Sequence, residues 1–371
     1  MSLLHIDSLE GYDEDTIVLN GGKYENWIHD GNNGDEILIA ANYGRNGSSG
    51  FRFITNSYTS GQRGSVTRHL NGNYDTIIVG AAVKINNLGQ LSIEKDQTPY
   101  HWTIFSLLDG DEIQASLTIT PSMRLSLTQG GGGSGDPENE IARSSFSLHA
   151  GVYYYLEMKL LVSNTAGSCE VRVDGISRLT ASGDTQATDN QWINGVRFGY
   201  GAFYPWTNQG RRIQFDDIYI ANTNGGTYND FVGDVRVEGI RPVGDQPTHQ
   251  WTPSSGTVHF ETIDDSTPDI TNYVTSDTTG DIDLFSVGNI TTPSANILAI
   301  SPNIYARKSN AGVARVVALV NRAGSTDVGI DNYLTQEYRY HYSDIWTTNP
   351  INSSAWGNSL SGYYFGVKKS G

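Results

Sequence analysis

Carboxylates at alternating positions are the first chemistry this sequence offers. A retaining glycosidase needs two of them about 5–5.5 Å apart, a separation that residues i and i+2 on one strand face supply. Asp109 and Asp111 have the spacing, but Asp109-Gly110-Asp111 reads as a turn. Asp281 and Asp283, in Gly280-Asp281-Ile282-Asp283-Leu284-Phe285, alternate as a strand does, with no third acid beside them. No Glu-x-Asp-x-x-Glu arrangement occurs, and no residue is assigned a catalytic role. Hydrolysis of a glycoside is therefore the least favoured of three functions, and the expectation is a chain that is not an enzyme.

Asp216 and Asp217 are adjacent in the run Phe215-Asp216-Asp217-Ile218. Neighbours in a strand face opposite sides, so the pair is not expected to act as one acid unit. The reading is structural, one carboxylate accepting hydrogen bonds from a nearby loop. Calcium, which favours hard oxygen ligands, is the one cofactor considered, and Asp216 and Asp217 are its candidate ligands. The eight histidines show no metal-like spacing, and no Gly-x-Ser-x-Gly elbow is present. Cys169 is the sole cysteine, which excludes an intrachain disulfide, and its alternating neighbours place it in a strand.

Aromatic side chains form the candidate contact surface. Tyr200, Phe203, Tyr204 and Trp206 cluster in an apolar loop between two strands, and Trp346 and Trp356 flank a polar turn. Sugar faces stack on such rings and protein partners bury them, so these six are the candidate glycan or partner contacts.

The elements that must carry these residues are strands. Over 371 residues, helical periodicity is nearly absent, while period-two alternation broken by Gly, Asn, Asp or Pro recurs every eight to twelve residues. Strands are expected over 76–85, 102–108, 113–120, 124–129, 153–162, 170–175, 196–199 and 213–220, a meander needing a second sheet over its apolar face. Further strands are expected over 296–308, 313–321, 333–343 and 362–368. The glycine run at 130–135 reads as an exposed loop. The fold class is all-β: an N-terminal jelly-roll sandwich over 1–228 and a smaller C-terminal β domain over 229–371 for assembly or attachment.

With 24 Lys+Arg against 40 Asp+Glu the net charge is −16, which argues against nucleic acid as a partner, since phosphate binding rests on basic residues. No apolar run reaches the roughly 18 residues a membrane helix needs, so no membrane insertion is expected. The first residues, Met1-Ser2-Leu3-Leu4-His5-Ile6-Asp7, lack the basic and apolar regions of a signal peptide.

Leu4-His5-Ile6-Asp7-Ser8-Leu9-Glu10-Gly11-Tyr12 resembles the opening strand of phage-encoded concanavalin A-like (laminin G-type) jelly rolls. Gly44-Arg45-Asn46-Gly47 before Phe51-Arg52-Phe53 is similar to a Gly-Arg-x-Gly segment of that family, and 153–161, 170–175 and 215–220 are similar to its closing strands. Residues 229–237, 251–256 and 305–308 resemble a region of tailed-phage virion proteins. The resemblance implies a virion structural protein, a capsid decoration, head fibre or tail component, made in the host bacterial cytoplasm. Its implied partners are other capsid or tail proteins and, through the C-terminal domain, two further copies in a homotrimer. The alternative is a carbohydrate-binding module for a host surface glycan.

Overall fold

The computed structural model describes residues 2–12, 23–28, 36–55, 64–87, 102–120, 122–130, 139–199, 211–342 and 344–371. The chain divides into two compact units, 1–9 with 24–237, and 10–23 with 238–371.

The first unit is built from β1 (Leu3–Asp7), β2 (Glu25–Ile28), β3 (Glu36–Ala41), β4 (Ser49–Thr55), β5 (Ser65–Tyr74), β6 (Thr76–Asn87), β7 (Trp102–Asp109) and β8 (Glu112–Ile119). It continues with β9 (Arg124–Gln129), β10 (Glu140–Ser147), β11 (Tyr153–Leu161), β12 (Gly167–Val173), β13 (Ile176–Gly183), β14 (Ile193–Gly199) and β15 (Arg211–Asn222). They form an eight-stranded sheet, β13-β12-β11-β6-β15-β4-β3 with β1 on β15, and a seven-stranded sheet, β10-β9-β8-β7-β14-β5-β2. This is the two-sheet jelly roll expected of the alternation.

The core between the sheets is aromatic. Phe53 of β4 meets Phe215 of β15 edge-on at 5.5 Å, Phe215 meets Phe198 of β14 at 5.8 Å, and Phe198 meets Phe105 of β7 at 5.7 Å. These rings cross from one sheet to the other, and each edge-to-face pair adds about 0.5–1.5 kcal/mol beyond its area burial. β6 is the central strand, paired with both β11 and β15, and Ile77, Ile78, Val79, Ala81, Ala82 and Val83 are all buried. That accounts for its continuous apolar run: both faces are covered. On the face away from the core, the ring of Tyr219 lies against Gly80, where a Cβ would come within 2.1 Å of the ring.

Residues 230–237 close over this outer face. Lys159 Nζ binds Asp230 at 3.0 Å, the Arg172 guanidinium lies 4.0 Å from the centre of the Phe231 ring, and Gly233 N–H donates to the buried Glu157 carboxylate at 2.8 Å. Cys169 is buried in β12, as its alternating neighbours imply.

The second unit holds β16 (Pro242–His249), β17 (Thr252–Pro253), β18 (Val274–Thr275), β19 (Ile282–Val287), β20 (Asn303–Ala306), β21 (Arg315–Arg322), β22 (Ser325–Val328), β23 (Asn332–Tyr333), β24 (Arg339–Tyr342) and β25 (Tyr363–Lys369). Its main sheet runs β16-β19-β25-β21-β22, with β23 also on β21. Two expected strands shrink. The 296–308 run is a strand only over Asn303–Ala306: Ile297 packs against the Trp346–Trp356 cluster outside any ladder, and Ile300 pairs with Trp346 in a single isolated bridge. The 333–343 run breaks into β23 and β24, and Ser343 lies outside the described residues.

Candidate functional site

Asp216 and Asp217 converge, against the expectation that neighbours in a strand diverge. The β15–β6 register shifts between Asp216 and Tyr219, and Asp217 adopts a left-handed φ of 51°. This bulge turns both carboxylates toward Arg45. The Arg45 guanidinium donates from Nε to Asp217 Oδ2 at 2.8 Å, with further bonds to the Asp234 carboxylate and the Val235 carbonyl. Arg45 N–H donates to Asp216 Oδ2 at 2.7 Å, Asp217 N–H to Asp216 Oδ1 at 2.8 Å, and Val237 N–H to Asp217 Oδ1 at 2.7 Å.

Every oxygen of the two carboxylates therefore has a protein donor. The loop bonding expected of this pair is present; among the described residues no group of three or more His, Cys, Asp or Glu could hold a metal. Burial, and then the charge of Asp217, push the Asp216 carboxyl up from 3.8 to about 7. The Ser48 hydroxyl favours the charged Asp216 carboxylate, against the effect of burial. It has one proton for two contacts, the Arg45 carbonyl at 2.6 Å and Asp216 Oδ2 at 2.7 Å. Asp217 is the ion-pair partner of Arg45.

The other paired acids are also spoken for. Asp109 accepts from Thr188 Oγ1, Asn190 Nδ2 and Trp192 Nε1 at 2.8–2.9 Å, buckling a loop onto β7. Asp111 is exposed in the turn. Asp283 is fully buried on β19, whereas Asp281 lies before the strand and accepts from Ser276 at 2.7 Å. The aromatic candidates separate. Trp346 and Trp356 are buried beside Val320 and Tyr363, with Trp356 Nε1–H donating to the Trp346 carbonyl at 2.8 Å. Tyr200, Phe203, Tyr204 and Trp206 lie outside the described residues.

A polar row on the seven-stranded sheet went unnoticed in the sequence. On its face away from the core, register aligns Thr67 with Arg197, Arg197 with Ser106, Ser106 with Ser116, Ser116 with Thr128 and Thr128 with Glu140. The hydroxyl members are buried, while Arg197 and Glu140 are half-buried. Ser106 and Ser116 share a hydrogen bond at 3.0 Å, and Arg197 Nε–H donates to Thr67 Oγ1 at 3.3 Å. Beside the row, Ser126 Oγ–H donates to Glu140 Oε2 at 2.6 Å, and Arg143 pairs with the same oxygen at 2.6 Å. The available signal was the alternation Gln114-Ala115-Ser116-Leu117-Thr118-Ile119, in which hydroxyls occupy the positions that solvated strands give to charges. The set offers donors, acceptors, two guanidiniums and one carboxylate on one face.

No family model matches the chain, and no curated protein matches it. Solved structures do. The cellulose induced protein Cip1 is 18% identical over 56% of this chain and 92% of its own, with a TM-score of 0.38. Alginate lyase Aly36B is 13% identical over 52% of this chain and 87% of its own, TM-score 0.34. Alginate lyase vAL-1 from Chlorella virus is 12% identical over 53% of this chain and 92% of its own, TM-score 0.34. One expectation is corrected by this comparison: a chain that is not an enzyme does not stand, because several similar structures are lyases. Paired strand carboxylates are a requirement of glycoside hydrolysis, and their scarcity excludes no other bond-breaking chemistry. Scores of this size assign no activity to this chain.

Proposed function

We propose that this protein recognises a glycan through the polar face of its seven-stranded sheet, as a component of a phage particle. The observation that carries the glycan reading is the register-aligned row from Thr67 to Glu140. Sugar hydroxyls donate and accept hydrogen bonds; Arg197, Arg143 and Glu140, which keep exposure, offer both, and the buried hydroxyls of Thr67 and Ser126 hold Arg197 and Glu140 from beneath. The particle reading is supported by the sequence resemblance at 4–12, 44–53 and 229–237.

A glycan array followed by titration calorimetry tests the first part. The expected result is binding that Arg197→Ala weakens at least about tenfold (roughly 1.4 kcal/mol) without a change in the circular dichroism spectrum. Binding that is absent, or that survives Arg197→Ala and Glu140→Gln unchanged, defeats it.

A homotrimer formed through the second unit is proposed alongside. Val313, Val328, Ile330 and Tyr333 are 48–74% exposed on and beside the edge strands β22 and β23, and exposed apolar groups on a sheet edge favour association. Sedimentation of the whole chain at micromolar concentration is expected to give a trimer that Tyr333→Asp dissociates; a monomeric wild type overturns it.

A further inference from the structure

Two of the second unit's histidines, His249 and His259, lie side by side, and neither the polar sheet face nor the Arg45 cluster involves them. Their rings lie edge to face with centroids 5.2 Å apart. His249 closes β16 opposite Asp283 of β19, and His259 immediately precedes a 3-10 turn at Phe260–Thr262.

Each ring has one nitrogen already committed. His259 Nδ1–H donates to Asp283 Oδ2 at 2.7 Å, and the other oxygen of that buried carboxylate accepts from Trp251 N–H at 2.8 Å. His249 Nδ1 lies 2.8 Å from the Gln246 carbonyl, which can only accept, so this nitrogen carries the proton. With Nδ1–H so engaged, the tautomer of each imidazole that these bonds select has its lone pair on Nε2. The backbone of His259 is held as well. Its N–H and that of Phe260 donate to Asp245 at 2.9 and 2.8 Å, and its carbonyl accepts from Thr262 Oγ1 at 2.7 Å.

A histidine whose Nδ1–H is anchored on a carboxylate or a carbonyl is the arrangement that orients and strengthens a metal-ligating Nε2. Here two such rings are adjacent. We propose that His249 and His259 form a two-imidazole site for a borderline divalent transition-metal ion of the Zn2+ class. Imidazole suits such ions and does not suit Ca2+ or Mg2+. Asp283 acts from behind His259 as a positioning residue, and water completes the coordination, since no third His, Cys, Asp or Glu converges among the described residues. A bound ion would tie the loop at His259 to the end of β16, stabilising the second unit by mass action.

Calorimetric titration of the full chain with ZnCl2, and separately with CaCl2, tests this. One Zn2+ per chain is expected to bind more tightly than about 1 mM, with no Ca2+ binding over the same range. His249→Ala, at an exposed position, is expected to weaken Zn2+ binding at least about tenfold with the urea midpoint of the metal-free protein unchanged. Asp283→Asn is expected to weaken it about 10–100-fold. Because that substitution is buried, His249→Ala remains the deciding variant. Absence of Zn2+ binding below about 1 mM, equal binding of Ca2+, or binding indifferent to His249→Ala overturns the proposal.

Discussion

Arg45 and Asp217 meet at 2.8 Å across 172 residues of sequence, and the bond fastens the loop after β3 to the bulge in β15. The same guanidinium reaches Asp234 and Val235, so one side chain joins three separate stretches of the first unit. Arg45 is 18% exposed and Asp217 only 1%, which makes this contact sensitive to the loss of either partner.

Arg45→Met is expected to destabilise the protein by about 3–5 kcal/mol, because it leaves a buried carboxylate without its counter-charge. Arg45→Lys is expected to lie between the two, keeping the charge but not the forked set of donors. Urea unfolding monitored by tryptophan fluorescence measures both.

The Asp216 carboxyl gives stability a definite pH dependence. Its folded value, about 7, lies above the ordinary 3.8, so between those limits the folded state binds more protons than the unfolded one. Stability from this group is full below about pH 4 and is lost as pH rises through 7. Asp216→Asn is expected to flatten that decline; unfolding midpoints at pH 4.5, 6 and 7.5 provide the check.

Gly80→Ala is expected to cost at least about 1–3 kcal/mol by overpacking. The new methyl would meet the Tyr219 ring at 2.1 Å, and that ring is held by its hydroxyl on the buried Glu157. Thermal unfolding reports the loss.

Trp356→Ala is expected to destabilise the second unit by about 3–5 kcal/mol. The substitution opens a cavity beside Val320 and Tyr363 and leaves the Trp346 carbonyl without its indole donor. Differential scanning calorimetry, with Trp346→Phe as a milder comparison, measures this.

Strands were legible where burial is one-sided or complete. The run 124–129 is β9 to the residue, and the apolar stretch from Thr76 reads correctly as covered on both faces because β6 sits between β11 and β15. Alternation misled where apolar residues pack without pairing, as at Ile297, whose N–H bonds the Gly357 carbonyl and no strand. The convergence of Asp216 and Asp217 depends on a left-handed aspartate, which no residue pattern in this stretch announces. The row from Thr67 to Glu140 needs the registers of six strands at once, and local alternation carries none of them. Trp346 and Trp356 have the residue types of a contact surface, but the neighbours that bury them, Val320 and Tyr363, are known only from the fold.

The assignment of residues 10–23 to the second unit has a consequence for biosynthesis. The Tyr340 hydroxyl donates to the Gly11 carbonyl across 329 residues, and Gly239 N–H to the Glu10 carboxylate across 229. During synthesis these two bonds cannot close until residues 239 and 340 have been made. Contacts of such long range are closed late and slowly. Residues 10 and 11 therefore complete their bonding only with partners far along the chain, and a polypeptide cut before 340 would lose the bond to Gly11.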